Sequence, residues 1–441
     1  MAVFDNYWAT TLAFAISLGR RGAPLHFYGS GAGRWSRYCA RRERCPAVMD
    51  AARFIPWLRD QVRSGVISRV APTTDLLAYY TSRLRDEFPP EVQRTILPLA
   101  ELEACLIKTR FSAACGYAGL STPQSVAPDD RGLAIEAAEA VGYPLILKPK
   151  SHLVVGMGER GRVIHDAGDL KTHYQPYPIA AGQEELAEAY PELRWPMLQR
   201  YVASAHRRVY SVTGFKDPET GIVAASLSFK REQWPADVGT STAQVSCHDE
   251  SILRTGLRVV DRLVSRGIFE LELLAEGEAF FPIDLNPRAF GFIALDMRLG
   301  HDLPWLWLCS TMGAVEPVAA ESRTPKTVEA RHKLLYAIRT VLGWSRAVVG
   351  KPNAHRGRSS RSSGTAVSMV GNLSDPLPML VGNLQLLKRP RSLIRSQYQA
   401  VCAAAMHRKM EAEDDMSIHA RAVGLPCEQD RAAVAVRHGT S

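Results

Sequence analysis

The spacing of hydrophobic residues changes repeatedly along the first hundred positions, and this change predicts a small α/β domain. Helical spacing occurs in TTLAFAISLGRRG and ARFIPWLRDQVRSG, and apolar runs of strand length occur in APLHFYG and at the start of ISRVAPTTDLLAYYTSRL. Asp75 lies near the start of the helix predicted in the last segment. Strands that alternate with helices are typical of a parallel α/β sheet, although the segment lacks the G-x-G-x-x-G of a dinucleotide site.

From about residue 105 the same patterns predict longer hairpins mixed with helices. Helices are predicted in LIKTRFSAACGYAGL, GLAIEAAEAV and ILRTGLRVVDRLVSRG, and strands in LILK and WPMLQRYV. Two stretches of alternating residues, 207–232 and 268–288, each contain a turn, at Asp217–Gly221 and at Glu276-Gly277, and so predict β-hairpins. The chain as a whole is therefore predicted to be of the α/β (α+β) class.

The second hairpin places an unusual number of acidic groups on one face. Side chains alternate between faces along a strand, so Glu270 and Glu272 share a face of one strand, and Asp284 and Asn286 share a face of the other. Folding at the turn makes the two pairs face each other, in a register that the sequence does not give. Facing like charges are destabilising unless a cation neutralises them, and Mg²⁺ binds such oxygens together with substrate phosphates. A solvated hairpin face explains the same pattern, and the hairpin alone favours that interpretation.

Four cationic residues favour the metal interpretation when they are considered with the hairpin. Lys108, Lys148 and Lys230 each lie at or beside the end of an apolar element, and Arg288 follows the Asp-x-Asn by two positions. Cations around carboxylate-bound Mg²⁺ suit a nucleoside triphosphate, because phosphoryl transfer depends on positioning and charge neutralisation. The glycine-rich segment 154–163 has backbone N–H groups that can approach phosphate, but it lacks the Gly-Lys-Ser/Thr ending of a P-loop.

Composition excludes several other classes of protein. The 441 residues carry a net charge of +9, much of it from arginines in 33–45 and 351–364. Such clusters can bind nucleic acid, but they lack the interleaved aromatic residues of a single-strand binder, so we interpret them as solvated surface and expect no nucleic-acid partner. The eight cysteines form no C-x-x-C pair, which disfavours a zinc ribbon or a disulfide framework and fits the cytoplasm. No apolar window is long enough for a membrane helix, so we expect no membrane association.

Six segments in a fixed order resemble the ATP-grasp superfamily, and in particular its carboxylate–amine ligases. The resemblance covers roughly residues 105–310, and the α/β region before it resembles the small domain that usually precedes an ATP-grasp domain. The segments are LIKTRFSAACGYAGLSTP, VGYPLILKP, WPMLQRYV, SFKREQWPADVGTSTA, FELELL and IDLNPRAFG.

The resemblance implies a nucleotide site with two lysines and a hinge strand. The lysines contact the phosphates or the adenine edge, and the backbone of the hinge strand forms hydrogen bonds with adenine. An acidic residue usually follows the hinge and holds the ribose; His206 is the candidate for that place here. The implied nucleotide-binding residues are Lys108, Lys148, Gln199, Arg200, Tyr201 and Val202.

The resemblance also implies a metal site and a catalytic pair. The implied metal ligands are Glu272, Asp284 and Asn286, with Glu270 as the alternative if the strand register is shifted by two. Lys230 is the implied phosphate-side lysine, and Arg288 the group that steadies the transferred phosphoryl group or an acyl phosphate. Asp284 stands where glutamate is commoner and is one methylene shorter, which leaves open whether one metal ion or two is bound.

These implications predict three regions and an enzyme. The regions are an N-terminal pre-ATP-grasp domain (1–104), an ATP-grasp domain with the nucleotide between two subdomains (105–320), and a partly mobile C-terminal extension (321–441). The predicted activity is ATP-dependent ligation of a small carboxylate to an amine through an acyl phosphate, with Mg²⁺ or Mn²⁺ bound. A bicarbonate-using enzyme and a non-catalytic nucleotide-binding protein are the alternatives. The sequence gives neither the identity of the substrates nor the oligomeric state.

Overall fold

The computed structural model describes residues 1–4, 8–155, 161–202, 209–234, 240–315, 327–331 and 365–368, together with positions 375, 377, 378 and 381. The chain divides by its contacts into one unit from Met1 to Leu387 and a second from Lys388 to Ser441, and all the described residues belong to the first. The proposed C-terminal extension, 321–441, therefore lies almost entirely outside the described residues, as does its Ser/Arg-rich stretch, 351–364.

The described residues contain α-helices and three β-sheets. The helices are α1 (Trp8–Gly19), α2 (Ala51–Arg63), α3 (Asp75–Arg83), α4 (Pro90–Gln93), α5 (Leu99–Leu106), α6 (Lys108–Tyr117), α7 (Arg131–Val141), α8 (Ala167–His173), α9 (Glu184–Ala189), α10 (Glu250–Leu263), α11 (Ile293–Leu299) and α12 (Leu303–Ser310). The strands are β1 (Ala2–Phe4), β2 (Leu25–Tyr28), β3 (Cys39–Glu43), β4 (Ser125–Val126), β5 (Leu145–Lys148), β6 (Arg162–Ile164), β7 (Met197–Arg200), β8 (Val209–Asp217), β9 (Gly221–Trp234), β10 (Thr240–Ser246), β11 (Gly267–Glu276), β12 (Ala279–Asn286), β13 (Val328–Arg331) and β14 (Thr365–Ser368).

The N-terminal sheet has the parallel α/β arrangement that the sequence predicts. Its order is β1-β2-β3, both pairings are parallel, and Val70 forms a further parallel bridge with Ala2. The chain leaves that bridge at Val70 and enters α3 at Asp75. The Thr74 hydroxyl caps the helix by accepting from the Leu77 N–H at 3.3 Å. The first residue of α3 is therefore Asp75, at the edge of the sheet where the strands end.

A seven-stranded sheet forms the centre of the described structure and contains both predicted hairpins. Its order is β12-β11-β8-β9-β10-β13-β14, antiparallel throughout except for the parallel pair β13–β14. One face is buried under α10, where Val212, Leu227 and Leu271 pack in the main apolar core. Side chains of alternate residues point to the other face, so that face carries Ser211 and Glu272, which are direct cross-strand neighbours.

A smaller four-stranded sheet, in the order β4-β7-β5-β6, has an apolar core of its own with α7 and α8. Its strand β7 ends at Arg200, and Val202 just beyond it packs with Val209 and Leu274 of the seven-stranded sheet. The two sheets therefore meet at Gln199 to Val202, the segment that the resemblance implies as the hinge. No described helix has both the length and the apolar character needed to cross a membrane.

The close contact of α10 with the central sheet predicts a stability effect at Gly256. A Cβ at this buried position would lie 2.5 Å from Cγ2 of Val212, and the stiff valine side chain cannot move away easily. We expect Gly256→Ala to lower the free energy of unfolding by about 1–3 kcal/mol, measured by urea denaturation.

Gly116 provides the matched control, because it also lies in a helix but is exposed, and an added Cβ there meets nothing within 4 Å. Gly116→Ala should raise the free energy of unfolding by about 0.5–1 kcal/mol. Equal effects of the two substitutions would contradict the described packing of α10.

Candidate active site

The hairpin β11–β12 brings its four polar side chains together in direct cross-strand pairs. Glu272 is paired with Asp284, and Glu270 with Asn286. The Asn286 amide Nδ2 donates to Glu270 Oε2 at 3.2 Å. The pairing is regular from Glu270 to Glu272. A β-bulge then shifts the register between Glu272 and Leu273, where the apolar part of the hairpin begins. The predicted facing of the two acidic pairs across the hairpin is confirmed.

Each of the two opposed carboxylates is bound by a partly buried lysine from a different element. Lys108 Nζ, at the start of α6, lies 2.8 Å from Asp284 Oδ1, and Lys230 Nζ, on β9, lies 2.7 Å from Glu272 Oε1. Burial alone would lower the pKa of both lysines, but the carboxylates outweigh it, and both values are raised. The carboxylate excess seen in the sequence is therefore neutralised by lysines in this structure.

Lys148 differs from these two lysines because its ammonium group bonds to an amide. Its Nζ donates to Gln199 Oε1 at 2.9 Å, and Gln199 Nε2 donates in turn to Ser125 Oγ at 2.9 Å. Burial, together with the nearby Lys108 charge, lowers the pKa of Lys148 to about 8. Lys148 is thus held at the end of β5 with its charge less neutralised than that of the other two lysines.

Arg288 lies at the end of the hairpin and is oriented by three acceptors. Its Nε donates to Asp75 Oδ1 at 2.5 Å, its Nη2 to Asn286 Oδ1 at 3.0 Å, and its Nη1 to the Ala289 carbonyl at 2.8 Å. Asp75 was not among the site residues that the sequence suggested. It belongs to no motif and is 213 positions away in the chain, so only its place at a helix start could have drawn notice.

The site carries equal numbers of formal positive and negative charges, but burial shifts that balance. Burial, reinforced by the Glu272 charge, raises the pKa of Glu270 to about 8. Burial also works against the charged form of Asp284, yet the neighbouring cations, Lys108 above all, lower its pKa. Burial thus works toward the neutral form of Glu270, which shifts the balance of the group toward positive charge and favours an anionic ligand. The groups counted are Lys108, Lys148, Lys230, Arg288, Asp75, Glu270, Glu272 and Asp284.

A small apolar cluster borders the charged group at the hinge. Val202, Val209 and Leu274 are buried together, with Phe281 partly buried against them. Leu274 follows Glu272 by two positions on β11, so the cluster continues the face that carries the carboxylates. The site therefore changes from apolar to charged along one face of the sheet.

Arg200 and Tyr201 anchor the hinge segment through their own contacts. Both terminal nitrogens of Arg200 bind Glu276, at 2.9 and 2.7 Å, and the guanidinium lies over the Phe281 ring. The Tyr201 N–H donates to the Pro144 carbonyl at 3.4 Å. The Arg200 side chain thus stabilises the hinge through Glu276 and Phe281.

Two of the sequence suggestions lie outside the described residues: His206, and 156–160 of the glycine-rich segment. Within the described part of the chain, no three His, Cys, Asp or Glu side chains are grouped so that they could hold a metal ion by themselves. A metal ion at this site would need oxygen ligands beyond the acidic residues.

Comparisons with known proteins agree with this architecture. No family model matches the chain. Among curated proteins it is 22% identical over 320 residues to the large chain of carbamoyl phosphate synthase from Pyrococcus furiosus, a match that covers 70% of this chain and 29% of that protein. The chain thus spans less than a third of the length of this relative.

Solved structures show the likeness of fold. The biotin carboxylase domain of the Hydrogenobacter thermophilus 2-oxoglutarate carboxylase, solved with MgADP, ADP and bicarbonate, has a TM-score of 0.59 at 13% identity, over 74% of this chain and 72% of that one. N5-carboxyaminoimidazole ribonucleotide synthetase from Thermus thermophilus has a TM-score of 0.51 at 16% identity, over 72% of this chain and 80% of that one. The two proteins share the ATP-grasp fold, and so does the chain described here.

Proposed function

We propose that the protein is an ATP-dependent ligase that joins a small carboxylate to an amine. The observation that carries the proposal is the group of three partly buried lysines and one arginine around the opposed carboxylates Glu272 and Asp284. The ATP-grasp fold supports it, because the neighbouring structures with this fold include one that holds MgADP. The cations would receive the phosphates, and the product of the first step would be an acyl phosphate and ADP.

The change from apolar to charged groups suggests how the nucleotide lies. Adenine would lie against the apolar cluster of Val202, Val209 and Leu274, beside the backbone of the hinge strand from Gln199 to Val202. The triphosphate then extends along the same face. Lys148, which is nearest the hinge through its bond to Gln199, would bind it first, followed by Lys108 and Lys230.

The oxygen ligands fit a magnesium ion that is bound together with the nucleotide. Glu272 and Asp284 offer facing carboxylates, and the Asn286 amide adds a neutral oxygen in the next cross-strand pair. Mg²⁺ commonly takes one or two carboxylates and completes its shell with phosphates and water, so the lack of a complete protein cage suits it. The metal would neutralise charge on the transferred phosphoryl group, and Mn²⁺, which takes similar ligands, would substitute.

The chain's own residues account for the steps of the reaction. A carboxylate is a poor electrophile, and it becomes reactive when it attacks the γ-phosphoryl group and releases ADP. Lys108 and Lys230 would stabilise the negative charge on the phosphoryl oxygens during the transfer. Arg288 would bind the acyl phosphate that forms. An amine would then attack the acyl carbon and expel phosphate, and the proton that the amine loses would leave with the phosphate, giving the amide.

The proposal also includes a cytoplasmic location and a division of the chain into domains. The six described cysteines are all free thiols, which suits the reducing cytoplasm. We assign the nucleotide site to an ATP-grasp domain, 105–320, that follows a pre-ATP-grasp domain, 1–104. The partners are small carboxylates and amines.

A second candidate activity uses bicarbonate in place of an organic carboxylate. It is favoured by the relative, a carbamoyl phosphate synthase chain, and by the neighbouring carboxylase that was solved with bicarbonate. The same lysines and Arg288 would serve it. Stimulation of ATP hydrolysis by bicarbonate alone, with no increase from organic acids, would identify this activity.

A mass-spectrometric screen tests the main proposal. Purified protein with MgATP and pooled amino acids and small organic acids should form a condensation product and one ADP for each amide bond. Salt-dependent nucleic-acid binding without any ATP turnover, in pools both with and without bicarbonate, would instead identify a non-catalytic protein.

Substitutions in the charged group should abolish this turnover. Asp284→Ala removes an opposed carboxylate, and Lys148→Ala removes a phosphate-binding cation, so each should lower kcat about 100-fold or more, measured as ADP release. Asp261→Asn is the matched control, because Asp261 also pairs with a lysine, Lys216, at 2.6 Å but lies exposed on α10. It should leave turnover unchanged, and unchanged turnover in the first two variants would refute the site.

The lowered pKa of Lys148 predicts a pH dependence of nucleotide binding. Lys148 is charged below about pH 8 and becomes neutral above it, while a bound triphosphate would keep it charged. The affinity for MgATP should therefore fall about tenfold between pH 7 and pH 9, measured by calorimetry. Lys148→Arg keeps its charge over this range and should remove most of the fall, although Glu270 titrates in both proteins. An equally steep fall in Lys148→Arg would show that another group is responsible.

A further inference from the structure

Three of the five N–H groups of the Arg288 guanidinium bind described residues, and two remain for a substrate. Nε donates one to Asp75, Nη2 one to Asn286 and Nη1 one to the Ala289 carbonyl. The bonds formed with the described residues leave one N–H on each terminal nitrogen. Two such donors form a fork that binds two oxygens of a carboxylate or a phosphate at once.

The direction of this fork depends on the N-terminal region. Asn286 and Ala289 are neighbours of Arg288 in the chain, and their bonds move with the hairpin, whereas Asp75 comes from α3. A backbone hydrogen bond, from the Ala289 N–H to the Pro72 carbonyl at 2.9 Å, joins the same two segments. The position of the guanidinium is thus fixed from two sides, and Asp75 supplies the only charged acceptor among the three.

Asp75 itself is held in a rigid setting. It is the first residue of α3, where the Thr74 side chain caps the helix, and the helix is buried through Leu77 and Tyr80 in the main core. The side chains of Asp75 and Arg288 are each only 14% exposed. A pair so shielded from water is screened little, so it can hold an arginine in one orientation more firmly than a surface pair can.

We propose that Asp75 is a positioning residue for the reaction: it holds Arg288 so that the two remaining N–H groups of the guanidinium face the reacting carboxylate and its acyl phosphate. This inference rests on the proposed ligase function. It makes the N-terminal region part of the active site, since an ATP-grasp domain without it would lack the orientation of Arg288. The contribution is to the transition state, where charge on the acyl phosphate develops, and not to the binding of adenine or of the nucleotide phosphates.

Kinetics on full-length variants test the proposal. Asp75→Ala removes the acceptor, and we expect it to lower kcat about 10–100-fold while the KM for MgATP stays within about twofold. Asp75→Asn keeps an acceptor oxygen without the charge and should give an intermediate kcat. Arg21→Gln is the matched control, because Arg21 also joins the N-terminal region to a later helix, through Asp302 at 2.7 Å. It should leave both constants unchanged.

A second measurement needs no substrate and keeps the two proposals distinguishable. In protein labelled with ¹⁵N-arginine, the Nε–H signal of Arg288, assigned with Arg288→Lys, should exchange slowly in the wild type and in Arg21→Gln and rapidly in Asp75→Ala. If no substrate pair is turned over, the ligase function fails, and this exchange alone decides whether Asp75 holds Arg288. The inference is overturned if Asp75→Ala leaves the exchange or kcat unchanged, or if Arg21→Gln lowers kcat to the same extent.

Discussion

The described site depends on the neutralisation of two carboxylates that face each other across one hairpin. Glu272 and Asp284 are a direct cross-strand pair, and such a pair is unfavourable unless positive charge lies beside it. Here that charge comes from Lys230 on the neighbouring part of the sheet and from Lys108 at the start of a packed helix. The requirement for neutralisation therefore links β9, β11, β12 and α6 into one arrangement, and the rest of the site is placed around it.

The same requirement explains why the polar face is not disruptive to the fold. The opposite face of the sheet carries Val212 and Leu271 under α10, so the sheet is stabilised from that side by apolar burial. The polar face is free to carry charges that compensate each other in pairs. Removing one member of such a partly buried pair leaves the other uncompensated. Substitutions here are therefore expected to affect stability as well as activity, which is why matched control variants are needed.

The sequence predicted the elements whose signals are local. Both hairpins were predicted because alternation and turn residues lie within a few positions, and alternation also placed Glu272 and Asp284 on one face. Strand β3 was not predicted, because its residues are mostly exposed and polar and show no apolar alternation. Strand β10 pairs with β9 through two irregularities in register, which the residues alone do not reveal.

The pairings between side chains in the site could not be predicted from the sequence, for a different reason. Lys108 and Asp284 are 176 positions apart, and Asp75 and Arg288 are 213 apart, so their contacts depend on how whole elements pack. The resemblance to ATP-grasp enzymes suggested the lysines and the carboxylates, but not that they would meet each other. Asp75, which lies outside the segments that carry the resemblance, could not be suggested in this way.

The pairing of lysines with carboxylates also bears on how metal and nucleotide would bind. If the lysines turn toward phosphates, Glu272 and Asp284 lose their cations, and their repulsion returns unless a metal ion replaces them. Conversely, a metal ion that enters first would displace two partly buried ammonium groups with no anion to receive them. The metal ion therefore offsets the carboxylate repulsion that the triphosphate would cause alone, and the triphosphate receives the ammonium groups that the metal ion would displace. This is the condition for a favourable coupling free energy between the two ligands. On the proposed function, the charged group is built to bind the metal and the triphosphate together, as a unit of nearly compensated charge.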